Sequence, residues 1–178
     1  MNQIKNQYVL FDGGMGREIK KRLPSFDPVL WSASGLIDNP ELVESVHQSF
    51  IDAGSTVITT NNYTVVPHVL KQRDSLHLFE SLVISAGQCA YNARIRSKKP
   101  QVLIAGCLPP LHTTYRPDLV DQDALQSEAT YQDIIKWLDP FVDFYLAESL
   151  SSIQELNLLF LNFFIRLVIS NIRDENYY

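Results

Sequence analysis

The chain has only two cysteines, Cys89 and Cys107, among its 178 residues. Two thiols cannot make a disulfide framework and are too few for a Cys-rich zinc site, so both read as reduced. Positive charge is also sparse: 15 Lys and Arg against 20 Asp and Glu leave a net charge of −5. Basic residues cluster only at Lys20-Lys21-Arg22 and between Arg94 and Lys99, which gives no stripe suited to nucleic acid. His47, His68, His77 and His112 lack any metal-ligand spacing such as H-E-x-x-H, so packing or surface roles are expected of them. The polar start, Met1 to Tyr8, has no basic region, long apolar stretch or cleavage site of a secretory signal, and a cytoplasmic location is the expectation. The apolar stretch from Leu156 to Ile169 is broken by Asn157, Asn162 and Arg166 and falls short of the about 18 unbroken residues of a membrane span.

What is present is alternation. With 46% hydrophobic and 20% charged residues, the chain can bury the core of one domain. Tyr8-Val9-Leu10-Phe11 is a short apolar run closed by Asp12-Gly13-Gly14, as for a buried strand ending in a turn. Asn39-Pro40-Glu41 supplies a helix cap, a first-turn proline and an acid at the positive end, with Leu42, Val46 and Phe50 on one face and Gly54 as the stop. Thr56 to Asn61 follows as a β-branched second strand, which completes a βαβ unit and implies a parallel sheet. The step repeats: Leu76 to Ala93 reads as a helix facing inward through Phe79, Val83, Ala86, Ala90 and Ala93, and Val102 to Cys107 as a third strand. A polar loop from Pro109 to Asp123 leads to a helix near Ser127 to Leu138, then to a fourth strand, Val142 to Glu148, and to a helix capped by Ser151-Ser152. The expected fold is α/β: about four N-terminal βα units of a (β/α)8 TIM barrel. Strand starts roughly 40 to 50 residues apart would need well over about 300 residues to close eight units. An open doubly wound sheet is the alternative, but Asp12-Gly13-Gly14-Met15-Gly16 does not fit its G-x-G-x-x-G signature.

Working residues of parallel α/β folds gather at the C-terminal strand ends. There the sequence puts Asp12, Thr60, Asn61, Asn62, Cys107 and Glu148, while strand interiors are apolar. Two carboxylates on one rim can bind an ammonium group, hold a cation or do acid–base work. Each residue also has a plainer reading. Asp12 suits a Gly-Gly turn, Asn61 and Asn62 suit turns, Glu148 suits a helix start, and Cys107 suits packing because no base stands beside it in sequence.

Residues 10–18 (Leu-Phe-Asp-Gly-Gly-Met-Gly-Arg-Glu), Leu30-Trp31-Ser32, Asn39-Pro40-Glu41-Leu42-Val43 and residues 53–61 occur in that order. Residues 104–111, Tyr115-Arg116-Pro117-Asp118 and residues 142–149 continue the series. Over about residues 8 to 155 the chain resembles the homocysteine S-methyltransferase family. The resemblance implies methyl transfer from a sulfonium or betaine-type donor to homocysteine, with Asp12, Gly13, Gly14 and Glu148 around the amino-acid part of the substrate. Thr60 and Asn61 join them as candidate substrate-binding residues. It also implies zinc, held by cysteines of the second half of the barrel in a strand-end motif and a Gly-Gly-Cys-Cys motif. Neither motif occurs in this sequence, so zinc is not expected on this chain alone, no catalytic residue is assigned, and silence or self-association through open sheet edges is expected. Residues 156–178 match none of the family's blocks and read as a divergent apolar tail, as from a reading-frame change or truncation.

Overall fold

The computed structural model describes residues 8–112, 116, 118, 124–162 and 167–170. Tyr115 and Pro117, part of the polar loop, and the tail residues at 163–166 and 171–178 lie outside them. The elements run α1 (Met15–Arg22), α2 (Ala33–Asp38), α3 (Pro40–Ala53), β1 (Val57–Thr59), α4 (Pro67–Lys71), a 3-10 turn (Leu76–Leu78), α5 (Phe79–Ser97), β2 (Leu103–Leu108), α6 (Ala124–Leu138), β3 (Phe144–Glu148), α7 (Ile153–Asn162) and β4 (Leu167–Ser170).

The sheet has the order β1-β2-β3-β4 with every pair parallel, which is a partial (β/α)8 barrel rather than a switched, doubly wound order. The expected first strand is reduced to one parallel bridge, Phe11 to Val57. Leu10 N–H donates to the Thr56 hydroxyl at 2.9 Å while Leu10 C=O takes both Thr56 N–H and Val57 N–H, so a side chain replaces one rung of the ladder. The segment lies on the outer edge of β1, and Tyr8 to Phe11 are all exposed. At the other edge Leu167–Ser170, inside the stretch set apart as a tail, pairs with Tyr145–Glu148.

Local chemistry accounts for the helices. The Asn39 side chain caps α3 by accepting from Leu42 N–H at 3.0 Å, and Gly54 ends it at φ 110, a conformation that favours glycine. The buried residues of α3 are Val43, Glu44, Val46, His47 and Ile51; Leu42 and Phe50, expected inward, are half-buried. The helix foreseen from Leu76 opens with the 3-10 turn and becomes α-helical at Phe79, with Val83, Ala86, Ala90 and Ala93 buried. Ser152 Oγ accepts from Glu155 N–H at 3.2 Å, and the Glu155 carboxylate accepts from Ser151 N–H at 2.6 Å, a reciprocal cap that starts α7.

Alternation along each strand sorts the sheet into two faces. Ile58 and Ile104 pack with Ile51, Ala90 and Ala93 of the helices, and Tyr145 and Ala147 join the main helical core. On the opposite face Val57, Ala105 and Leu146 form a smaller cluster that would line a barrel interior.

Candidate substrate site

That inner face leads to the site. The register sets Thr59 opposite Ala105 and Cys107 opposite Leu146, so Thr59, Cys107, Leu146 and Glu148 share a face by period-two alternation. Above them is a cavity of about 580 Å³. Asp12, Gly13, Gly14, Thr60, Asn61 and Glu148, the six candidate substrate-binding residues, line it together with Trp31 and Tyr63, whereas Asn62 and Cys107, also placed at the rim from the sequence, are not in its lining.

Asp12 does more than shape a turn. Its carboxylate reaches across to β1 and accepts from Thr59 N–H at 2.9 Å and from the Thr59 hydroxyl at 3.2 Å. Burial pushes its pKa up to about 6, the charge of Glu148 adds to the rise, and the Thr59 bonds oppose it. Glu148 is also raised by burial, and the Cys107 thiol counters this by donating to its carboxylate. Cys107 is fully buried, and burial with the neighbouring Glu148 and Asp12 holds its thiol protonated well above the usual range. A thiol so placed is a hydrogen-bond donor and packing group, because burial and two neighbouring carboxylates disfavour the thiolate that a nucleophile needs. The two carboxylates therefore share one poorly solvated space, with no Lys or Arg among the described residues that line it.

Thr60, Asn61 and Asn62 are not loose turn residues. The Thr60 hydroxyl donates to Asn62 Oδ1 at 2.6 Å and accepts from Cys107 N–H at 2.9 Å, while Asn62 Nδ2 donates to Cys107 C=O at 2.9 Å. This buried triangle ties the end of β1 to the end of β2. Asn61 Nδ2 donates to Ser32 C=O at 3.0 Å and so holds the loop that carries Trp31. The Trp31 indole lies on Gly16: a Cβ there would come within 2.0 Å of Nε1. Gly13 precedes α1, Gly14 is its N-cap and Gly16 lies in its first turn; the first intrahelical bond begins at Arg17 N–H, 3.0 Å from Gly14 C=O, so earlier amides stand at the positive helix end beside the cavity.

Of the four non-glycine residues with positive φ among the described residues, two sit here: Trp31 at 49°, and Ser149 at 58° directly after Glu148. The left-handed region disfavours ordinary side chains, and such strain concentrates where a loop must aim a group. Sequence reasoning missed Thr59, the residue that holds Asp12, and Leu146, the apolar floor. Both lie two residues before a polar strand-end position, Asn61 and Glu148, and that spacing was their only signal.

Zinc, which the resemblance implies, does not fit the described residues. No three of their His, Cys, Asp and Glu side chains are placed to hold a metal ion. The Cys89 thiol, on α5, donates to Pro40 C=O at 3.4 Å, away from the cavity.

Residues 9–173 match the family model for homocysteine S-methyltransferase. The chain belongs to the homocysteine S-methyltransferase family. The match takes in most of the stretch after residue 155, including β4. Homocysteine S-methyltransferase 1 of Arabidopsis thaliana is 34% identical over 86 residues, which are 48% of this chain and 26% of that protein. Homocysteine S-methyltransferase of Escherichia coli (strain K12) is 36% identical over 63 residues, 35% of this chain and 20% of that one. The crystal structure of the homocysteine methyltransferase MmuM from Escherichia coli, in its metallated form, superposes with a TM-score of 0.74 at 26% identity. That superposition covers 86% of this chain and 58% of MmuM, so the chain spans little more than half of that solved relative.

Proposed function

We propose that this chain binds the amino-acid part of homocysteine in the cavity at the strand ends, as one part of an S-methyltransferase site. The observation that carries this reading is the meeting of Asp12 and Glu148 in one poorly solvated space beside the first amides of α1. Asp12 and Glu148 receive the ammonium group by charge-assisted bonds, and the Gly13-Gly14 turn receives the carboxylate. Thr60 and Asn61 set the wall through their bonds to neighbouring strands and loops. Methyl transfer from a sulfonium or betaine-type donor, which turns homocysteine into methionine, belongs in this reading to a complete barrel, and this chain by itself is silent. Its location in this reading is cytoplasmic; no helix among the described residues is long and apolar enough to cross a membrane.

The test is calorimetric titration of homocysteine at pH 6 in buffers of different ionisation enthalpy. With its pKa near 6, Asp12 is partly protonated in the free site, and an arriving ammonium favours the carboxylate, so binding releases protons and the measured heat depends on buffer. Glu148→Gln should weaken binding roughly tenfold by removing one charge-assisted contact. Equal affinity of the two proteins would take Glu148 out of the site, and buffer-independent heat would do the same for Asp12.

One observation favours a second reading, a non-catalytic assembly module. Leu10 and the Asp12 N–H turn toward β1 and the Phe11 C=O accepts from the Ser55 hydroxyl at 3.5 Å, which leaves the backbone of Val9 on an exposed apolar edge, with Tyr8 83% and Val9 67% exposed. Such an edge is a template for another strand. Light scattering decides: a monomer at all concentrations removes this reading.

A further inference from the structure

A second cavity, of about 390 Å³, lies outside the sheet between α4, the 3-10 turn, the loop after β2 and α6. It shares no lining residue with the candidate substrate site. Its chemistry is divided. Leu76, Phe79 and Leu111 give an apolar surface. From α4, His68 and Lys71, three residues apart and so on one helical face, line it; the His112 ring is set against that of His68 with centroids 5.1 Å apart. From α6 come Ser127, Thr130 and, one turn further along, Asp133.

Three groups here lack a side-chain partner among the described residues. Lys71 and Asp133 line the same cavity, yet neither makes an ion pair or a side-chain hydrogen bond among the described residues. Ser127 is 4% exposed, lines the cavity, and its hydroxyl has no hydrogen bond to a described residue, whereas the adjacent Thr130 hydroxyl is committed to Gln126 C=O at 2.9 Å. A hydroxyl on a nearly buried residue, uncommitted to the fold at the wall of a cavity, can donate to an anion bound there. Ser127 also lies in the first turn of α6, a helix of 15 residues, where backbone amides and the helix dipole favour negative charge. The cavity thus offers a place for an anion near His68, Lys71 and Ser127, a carboxylate of its own at Asp133, and apolar surface between.

The geometry points to a binding site for a small zwitterion with an apolar side chain, an α-amino acid, separate from the site at the strand ends. Its carboxylate is held by Lys71, His68 and the Ser127 hydroxyl, its ammonium by Asp133, and its side chain rests on Leu76, Phe79 and Leu111. This assignment does not depend on the proposed homocysteine site.

The test is titration of the full chain with L-leucine, followed by the amide signals of α4 and α6 in NMR, with acetate as the anion-only probe. Saturable leucine binding, at least about tenfold tighter than acetate, is expected from the added ammonium and apolar contacts. Lys71→Met and Asp133→Asn, both at exposed positions, should each weaken it by about tenfold. Asp12→Asn should leave it unchanged. Failure to saturate, acetate binding as tight as leucine, affinity unaffected by both rim variants, or loss on Asp12→Asn would each overturn the assignment, the last by moving leucine to the other cavity.

Discussion

Substituting His47 should make the protein more stable, and most of all in mild acid. His47 is fully buried on the inner face of α3, and neither ring nitrogen has a hydrogen-bond partner. Burial lowers its pKa from 6.5 to about 3, because the imidazolium would be stranded away from water. The unfolded chain takes up a proton below about pH 6.5 and the folded one only below about 3, so folding loses about 1.4 kcal/mol for each pH unit between those limits. Over the full window that is about 5 kcal/mol, comparable with the whole stability of a small domain; at pH 5 it is about 2 kcal/mol. Above pH 6.5 the protonation penalty vanishes, and the cost of two unmet ring nitrogens remains. His47→Leu keeps similar volume and removes both, which should add about 1–2 kcal/mol at pH 7.5. Urea unfolding of both proteins at pH 7.5 and pH 5 measures the effect. The raised carboxyls of Asp12, Glu148 and Glu155 also respond to pH, but identically in both proteins, so they cancel in the comparison. Stability curves that stay parallel from pH 7.5 to 5 would refute the reasoning, since the difference must widen by about 2 kcal/mol if His47 is the source.

Gly16→Ala drives a methyl into the Trp31 indole and should cost about 2 kcal/mol while shifting tryptophan fluorescence toward a more exposed environment. Asn62→Ala leaves the Thr60 hydroxyl and Cys107 C=O without their buried partner and should cost about 2–3 kcal/mol by urea unfolding, with homocysteine binding reduced alongside. Asp143→Asn weakens a carboxylate that takes both Arg94 Nη1 and Ile104 N–H at 2.7 Å, and the loss of about 1–2 kcal/mol should shrink in high salt. Burial pushes the Cys89 thiol up to about 11 and holds the Cys107 thiol well above its usual range, so a disulfide reagent at pH 8 should label neither until the protein unfolds; rapid labelling of native protein would contradict the packing of both.

Much of the architecture could be read from residue order because parallel α/β units carry strong local signals. Asn39, Pro40 and Gly54 mark a helix at both ends, and the β-branched run after Gly54 has no competing reading. Two strands were misjudged for the same reason, that pairing is not a local property. Tyr8 to Phe11 has the composition of a buried strand but lies at an edge where the Thr56 hydroxyl takes one of its ladder bonds. Leu167 to Ser170 was hidden inside an apolar stretch whose composition suits helix and strand alike; only the neighbouring edge of β3 decides it.

The site divides along the same line. Asp12, Gly13, Gly14 and Glu148 were legible because a parallel sheet delivers whatever ends its strands to one rim, and the rim here is one cavity. What sequence could not supply was the division of labour within that rim. Asn61 and Asn62 are adjacent amides of one type, yet Asn62 is consumed entirely in tying β1 to β2 while Asn61 anchors the Trp31 loop. Asp12 and Glu148 are both strand-end carboxylates, yet two bonds from Thr59 hold Asp12 toward the ionised form, and Glu148 instead accepts a hydrogen bond from the Cys107 thiol. Those differences arise from how the fold brings residues 29 to 47 positions apart into contact, from Asn61 with Ser32 to Asp12 with Thr59. The chemical individuality of the two carboxylates therefore belongs to the pairing of strands and not to the turn motif that first drew attention to Asp12.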